Sequence, residues 1–584
     1  MGFDGWFTLA MLVAMLALLA LDRLPPSMVV VATTVSLMIS GIISQQEAFA
    51  GFSNPAPITV AALYVLAFAA QKTGLLSPAV SRLLGDGTGW RAVARLTAPV
   101  AGASAFLNNT PLVAMLIPDV VSWSQRKRIS ASRFLLPLSY AAILGGCITL
   151  IGTSTNLVVS GLMEEATGEP FSLFEITPIG LPVALIGLAV MIALVGRVIP
   201  ERRGVSEVEN FREFTVTMEV VGGGPLDGVT VTDGGLRDLN AVYLVEIERD
   251  GRVIAPVDPD TELDANDRLV FAGKVDQIVD LQRATGLRSA EHPHYMAVDT
   301  PGHTFYEAVV GRSSPLVGVT LKEADFRSRF QAAVVAIHRD GEQVKAKLGQ
   351  VELRPADTLL VLAGPEFKRD WGDGHHFLVI ATLGGPPPTA TRKAPLVGVV
   401  GAAVILLAAF EIVDILEGSL MAVAALLLTK VLTPRDVRNA VDIDVIVLIG
   451  AAFGLGAAMQ NSGVAVTFAD GLVAGLGNYG DFGIVLGTLL ATAAITELVT
   501  NNAAAALMFP IALGVAATTG LDPRGLALGV AVAASASFLT PIGYQTNMMV
   551  YGPGGYKFTD YTRLGIPMNL LVMPTAALCV VTFW

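Results

Sequence analysis

The sequence predicts a polytopic α-helical membrane protein: two related halves with an α/β block between them. Three observations carry this. The 584 residues are 53% hydrophobic and only 15% charged, where soluble domains carry about 25% charge. Apolar runs long enough to span a bilayer, about 20 residues, fill residues 1–200 and 390–584 but not 201–375. A polar interruption, AFLNNTPLVAMLIP at 105–118, returns as ELVTNNAAAALMFP at 497–510.

In the first half the apolar runs place spans near 5–22, 26–45, 56–72, 134–163 and 172–199, with a polar-tipped segment at 92–120 between the third and fourth. The second half gives spans near 395–411, 418–432, 443–460, 525–552 and 563–583, with 482–518 in the matching place. Each half therefore reads as five spans plus one re-entrant hairpin, with room for an extra crossing. The first run follows Met1-Gly-Phe-Asp, without a basic leader or a small-residue cleavage site, and reads as a retained span.

The basic residues orient this layout. Lys72, Arg82, Arg91, Arg95, Arg126, Lys127, Arg128 and Arg133 flank the first polar-tipped segment, and Arg202 and Arg203 precede the middle block. Lys430, Arg435, Arg438, Lys557 and Arg563 fall on the same side, whereas no Lys or Arg occurs from Asn439 to Pro523. The first hairpin then enters from the cytoplasm and the second from outside. Five crossings per half give the inverted-repeat layout of secondary transporters.

The repeat continues past the hairpins. GGCITLIGTSTN (145–156) aligns with ASFLTPIGYQTN (536–547), pairing Thr149 with Thr540, Gly152 with Gly543, Thr155 with Thr546 and Asn156 with Asn547. Unwound backbone at membrane depth is tolerated where it is buried in protein or lines a wet cavity. Asn109 and Thr110 are good capping residues and Pro111 suits a first helical turn, placing 107–110 at a hairpin tip. A helix N-terminus there offers N–H groups to an anion. Carbonyls at the breaks, with Ser, Thr and Asn oxygens, form hard-oxygen cages suited to Na⁺. Glu497 lies four residues before Asn501 with no basic residue near it in sequence. An acid at that depth reads as a proton-coupling group, a charge for a cation, or a structural acid bonded to backbone, the last preferred. Cys147 and Cys579 both lie in apolar runs and form no disulfide framework, and Cys147 and Met163 read as core packing. A net charge of −12 argues against a nucleic-acid partner, and no nucleophile–base set or metal-ligand spacing points to an enzyme or an organic cofactor.

The tips and breaks resemble the divalent anion:sodium symporter (DASS) family of the ion transporter superfamily, which carries two Ser-Asn-Thr hairpin tips, each followed by a broken helix. The corresponding tripeptides are Asn108-Asn109-Thr110 and Thr500-Asn501-Asn502; the central Asn is kept and the flanks depart. The resemblance implies one sodium ion held by Ser104, Asn108 and Asn109 with carbonyls around Gly152. It implies a second at Thr496, Thr500 and Asn501 with carbonyls around Leu539 and Thr540. Asn109, Thr110, Thr153, Asn501, Asn502 and Thr540 would face the anion. Elevator-type movement of the hairpin-bearing domain is likewise implied by the resemblance.

The middle block contains AVYLVEIERDG and QAAVVAIHRDG, strand-like runs between Gly, Pro and Asp turns. It resembles two consecutive TrkA-C (RCK C-terminal) modules at 205–290 and 295–380, pairing Gly228 with Gly318, Arg249-Asp250-Gly251 with Arg339-Asp340-Gly341, and Asp267 with Asp357. GGPPPTATRK at 384–393 reads as the linker back to the membrane. Such modules imply a homodimer, either as a structural dimerisation platform, the preferred reading, or as one that also binds a small regulatory ligand. The whole looks most like the sulfate-transporter branch of the family. That implies a sodium-coupled importer of sulfate or a similar divalent anion in the inner (plasma) membrane, with two or more Na⁺ as coupling ions and the modules in the cytoplasm. The alternatives are a C4-dicarboxylate substrate, a TrkA-C-regulated channel, and a transporter-like nutrient sensor. No TVGYG-type filter string supports the channel.

Overall fold

The computed structural model describes residues 2–21, 24–75, 89–127, 129–202, 215–236, 242–249, 252–254, 257–273, 287–289, 304–311, 314–339, 342–344, 346, 348–364, 366–371, 376–382 and 391–584. Arg82, Arg128, Arg203, Asp250, Gly251, Asp340, Gly341 and linker residues 384–390 lie outside them. The chain forms two compact units, Met1–Arg202 with Pro386–Trp584, and Arg203–Gly385.

In the first unit, the leading half runs through α1 (Phe3–Leu21), α2 (Pro26–Ile39), α3 (Gln45–Ser53), α4 (Pro55–Thr73), α5 (Trp90–Ser104), α6 (Asn109–Lys127), α7 (Ser132–Gly146), α8 (Ser154–Thr167) and α9 (Thr177–Val198). The second unit supplies β1 (Thr215–Val220), β2 (Val229–Thr230), β3 (Val242–Arg249), β4 (Arg252–Ile254), β5 (Glu262–Leu263), β6 (Arg268–Gly273), β7 (Leu287–Ser289) and β8 (Thr304–Val310). It continues with α10 (Phe326–Phe330), β9 (Ala332–Arg339), β10 (Glu342–Gln343), β11 (Thr358–Ala363), α11 (Glu366–Trp371) and β12 (Phe377–Thr382). The trailing half of the first unit follows as α12 (Ala394–Ala409), α13 (Ile415–Leu428), α14 (Pro434–Ala440), α15 (Ile443–Asn461), α16 (Val464–Leu476), α17 (Gly480–Thr496), α18 (Asn501–Thr519), α19 (Pro523–Ser535), α20 (Gln545–Tyr551) and α21 (Phe558–Phe583). Among the described residues, six helical stretches are long and apolar enough to cross a membrane.

The element order recurs from half to half. One short helix sits before the third long one in each, and local chemistry explains both. Ser44 accepts the Glu47 N–H while the Glu47 carboxylate accepts the Ser44 N–H, starting α3; Thr433 and Asp436 repeat this capping box at α14. The expected spans 134–163 and 525–552 are each two helices, with breaks at 147–153 and 536–544. The expected extra crossing has a counterpart in α16, between α15 and the second hairpin.

Glycines let the halves interlock closely. A Cβ on Gly51 would lie 2.3 Å from the Gly450 carbonyl oxygen, and one on Gly454 would lie 2.5 Å from Thr34 Cγ2, so α2, α3 and α15 approach to backbone contact. Ion pairs group the polar ends. Lys72 meets Asp436 at 2.7 Å, Arg202 grips buried Asp560 through Nε and Nη2 at 3.0 Å each, and Arg524 holds Glu175 at 2.7 and 2.9 Å.

The second unit holds two five-stranded antiparallel sheets of matching design, ordered β4-β3-β6-β1-β7 and β10-β9-β11-β8-β12. Arg249 pairs with Asp267 as Arg339 does with Asp357, each at 2.7 Å with the aspartate 1% exposed. Gly228 and Gly318 share a φ of +77°, a conformation that favours glycine, and donate to Leu263 and Leu353 carbonyls. Val270 of the first sheet packs against Val335, Ala336, Leu360 and Leu362 of the second.

Candidate functional site

Each hairpin tip is a turn between two helices. α5 ends at Ser104 and α6 starts at Asn109; α17 ends at Thr496 and α18 starts at Asn501. The first residue of each polar tripeptide does the capping: Asn108 Oδ1 accepts the Thr110 N–H at 3.2 Å, and Thr500 Oγ1 accepts the Ala503 N–H at 3.4 Å. The sequence offered Asn109 and Thr110 as caps, and the cap falls on Asn108, before Asn109. That residue instead begins the helix, which frees its amide to reach outward.

Each break is closed by one asparagine. Asn156 Nδ2 donates to the Gly146 and Thr149 carbonyls at 3.0 and 2.9 Å. Asn547 Nδ2 donates to the Ser537 and Thr540 carbonyls at 2.9 and 3.2 Å, the same intervals along the chain. The following long helix fastens each break in the same manner. Thr177 donates to the Ile148 carbonyl at 2.7 Å and Thr562 to the Leu539 carbonyl at 3.1 Å. A Cβ on Gly180 or Gly565 would fall within 1.8 or 2.2 Å of a break carbonyl oxygen, so only glycine fits.

Tip and break of one half meet around a glycine. The Cβ position of Gly152 is 2.6 Å from the Gly146 oxygen and 2.9 Å from the Ser104 oxygen. Beside it, Ser104 Oγ donates to Asn109 Oδ1 at 2.6 Å. Uncharged hard oxygens thus converge in the first half, a donor set that fits Na⁺. Asn108 points its Oδ1 back to its own helix instead.

The second half is arranged around a carboxylate. Gly543 lies against the Thr496 carbonyl and Glu497 Oε2. Glu497 accepts from the Leu539 N–H at 2.9 Å and from Thr540 Oγ1 at 2.7 Å. Thr496 Oγ1 donates to the Ala534 carbonyl, and the Leu539 carbonyl is taken by Thr562. Of the ligands expected for the second sodium ion, Thr496 presents its carbonyl to Gly543 as Ser104 does to Gly152, whereas Thr500 caps α18 and Asn501 reaches across to Thr155.

The two halves cross. Asn109 Nδ2 donates to the Tyr544 hydroxyl at 2.7 Å, and Thr110 Oγ1 donates to Gln545 Oε1 at 3.2 Å, joining the first tip to the second break. Reciprocally, Asn501 Nδ2 donates to Thr155 Oγ1 at 2.6 Å, and Asn502 Oδ1 accepts from Ser154 and Thr155 at 3.2 and 3.1 Å. Thr153 Oγ1 lies 3.1 Å from the Tyr544 hydroxyl. Expected anion-facing residues Asn109, Thr110, Thr153, Asn501 and Asn502 therefore all bond across the two halves, while Thr540 turns to Glu497. Sequence reasoning missed Tyr544, Gln545 and Ser154, and also Tyr64 of α4, which lies beside Ser154 and Asn108. The first three were signalled where IGYQTN replaces IGTSTN.

The sequence matches the family described as citrate transporter (CitMHS) over residues 16–533 and 480–584. It is 34% identical to an uncharacterized transporter of Synechocystis, covering 99% of this chain and 97% of the relative. It is 33% identical to a putative sulfur deprivation response regulator of Chlamydomonas reinhardtii, covering 94% and 97%. Sodium/sulfate cotransporter 2 of the same alga is 24% identical, covering 100% and 90%. A match over most of the residues, together with full-length relatives above 30% identity, makes the chain a member of the citrate transporter (CitMHS) family and a transporter rather than an enzyme.

Proposed function

We propose that this secondary transporter is a sodium-coupled symporter for sulfate or a similar divalent oxyanion. The observation that carries the reading is the reciprocal crossing, in which each tip reaches the break of the other half. It leaves helix N-termini and amide and hydroxyl donors around a common centre, with hard-oxygen groups behind each tip. Backbone donors at α6 and α18 would bind the anion. Ser104, Asn109 and the carbonyls near Gly152 would hold one Na⁺, and the groups around Glu497 a second. Neutralising the dianion with co-bound cations explains why so few basic side chains are needed.

The halves are read as inverted repeats. The basic ends Lys72 and Arg202 group with Asp436 and Asp560, whereas Arg524 pairs with Glu175 at loops that the lysine–arginine distribution assigns to the opposite side. The duplicated sheets are read as a cytoplasmic TrkA-C pair that dimerises the protein in the inner membrane and binds a small regulator. The hairpins would move as an elevator. Relatives named sodium/sulfate cotransporters support sodium and sulfate. The family's own description favours a carboxylate as the second reading.

The deciding experiment reconstitutes the protein in liposomes and follows labelled sulfate, succinate and citrate, with and without an inward sodium gradient. Sodium-driven sulfate uptake is expected. Carboxylate uptake alone would establish the second reading, and sodium-independent flux would sink the coupling.

A further inference from the structure

The two breaks are close copies until their last residues. Thr153 precedes α8 with φ −142° and ψ 150°, and Tyr544 precedes α20 with φ −138° and ψ 139°. The backbone is the same; the side chains are a short hydroxyl and a phenol. These two repeat-related side chains also touch, at 3.1 Å. The contact joins the two breaks directly.

The asymmetry there is one of reach. At the second tip, Asn501 and Asn502 are met by the short hydroxyls of Ser154 and Thr155. At the first tip the second break arrives through a whole ring, and Tyr544 places its hydroxyl 2.7 Å from Asn109 while remaining 6% exposed. Gln545 extends the same wall to Thr110. The phenol accepts the Asn109 N–H, which leaves its own proton for Thr153 or for an acceptor-only anion.

We propose that Tyr544 sets the anion selectivity of this transporter. Its ring shortens the chamber between the tips, so that a single-centred tetrahedral dianion fits and a dianion with two separated carboxylates does not. Its hydroxyl supplies one of the donors. This rests on the oxyanion-symport reading above and names the residue that decides between its two substrate classes.

The test uses the full-length protein in liposomes under a sodium gradient, with labelled sulfate and succinate. Wild type is expected to take up sulfate at least about tenfold faster than succinate, a difference of about 1.4 kcal/mol. Tyr544→Thr, which installs the residue of the other half, should gain succinate uptake and bring the two rates within about threefold of each other. Tyr544→Phe keeps the ring and should keep succinate out, while the sulfate KM rises about three- to tenfold through loss of one hydrogen bond. A Tyr544→Thr protein with wild-type selectivity overturns the proposal. Should that variant fail to fold, Tyr544→Phe decides alone: a wild-type sulfate KM, or entry of succinate, overturns it. If wild type carries no tetrahedral dianion at all, the functional reading fails and this inference falls with it. If wild type carries sulfate and the variants behave like it, only the inference fails.

Discussion

The two half-sites share a backbone and differ in charge. Both tie a break with one asparagine amide, both seat a glycine against their own tip, and both lean on a Thr and a Gly of the following helix. Yet the first half puts Ala105 where the second puts Glu497. Thr149 donates to the Ala105 backbone carbonyl, whereas Thr540 donates to the Glu497 carboxylate. Backbone geometry is thus the duplicated part of the design, and side-chain electrostatics the part free to diverge. An uncharged oxygen cage gains a cation by dipoles alone; one containing a carboxylate adds a full charge at a depth where charge is expensive.

The strongest way to break this comparison is at the tips. Asn109→Ala removes the link from Ser104 to Tyr544, and Asn501→Ala the link to Thr155. Each should lower sodium-driven uptake at least about tenfold, the scale of one lost interaction of about 1.4 kcal/mol or more. Two variants with wild-type sodium dependence would end the site assignment.

Glu497 sharpens the comparison. The Leu539 N–H and Thr540 hydroxyl make it a brace for the second break. Glu497→Ala should therefore destabilise the protein by about 2–4 kcal/mol, seen as an earlier thermal transition, because buried donors lose their acceptor. Glu497→Gln should fold, since an amide oxygen still accepts at the break, but weaken sodium-driven uptake because the second cage loses its charge. A folded Gln variant that has lost a pH dependence present in wild type would make the carboxyl a proton carrier instead.

The same comparison runs inside the duplicated sheets. At chain positions matching Glu248 and Arg268, which face each other half-exposed at 3.7 Å, the second copy has His338 and Thr358. Its Glu307 is 1% exposed, beside Leu360 in the layer that Val270 covers. Burial pushes the Glu307 carboxyl up to about 8 and the His338 imidazole down to about 4. Between the ordinary carboxyl value and about 8, folded Glu307 keeps a proton that the unfolded chain has lost, so its contribution falls as pH rises. His338 works oppositely between about 4 and its ordinary value of 6.5, where the unfolded chain binds the extra proton. The two largely cancel below pH 6.5, and a net loss remains from there to about 8. Glu307→Gln should flatten that loss and stabilise the sheets by about 2–4 kcal/mol at neutral pH, read by hydrogen exchange on the full-length chain. The smallest expected effect is at Lys72, whose pair with Asp436 is 39% exposed on the lysine side; Lys72→Ala should cost about 0–1 kcal/mol, and a larger loss would show that this end is more tightly held than its exposure implies.

Much of this was legible in the sequence because it is local. Asn109, Gly152, Asn156 and their partners in the second half are chemistry at fixed spacing in an apolar background. The capping boxes at Ser44 and Thr433 were equally local, yet they were overlooked between longer apolar runs. The crossing of Asn109 to Tyr544 was not readable, because the two are far apart in the chain and meet only once both halves have folded. Glu497 showed its depth in the sequence but not the backbone N–H that it accepts.

The asparagine clamps carry one further consequence. Asn156 and Asn547 each hold two carbonyls of their break to a single amide, so the rims of the two cages cannot widen independently of that side chain. On the proposed sodium sites, a rim pinned in this manner would discriminate by ionic radius. Accepting potassium in place of sodium would require one clamp bond to stretch or part, and the selectivity against the larger, more abundant cytoplasmic ion would be stored in two amide groups that need not touch the ion.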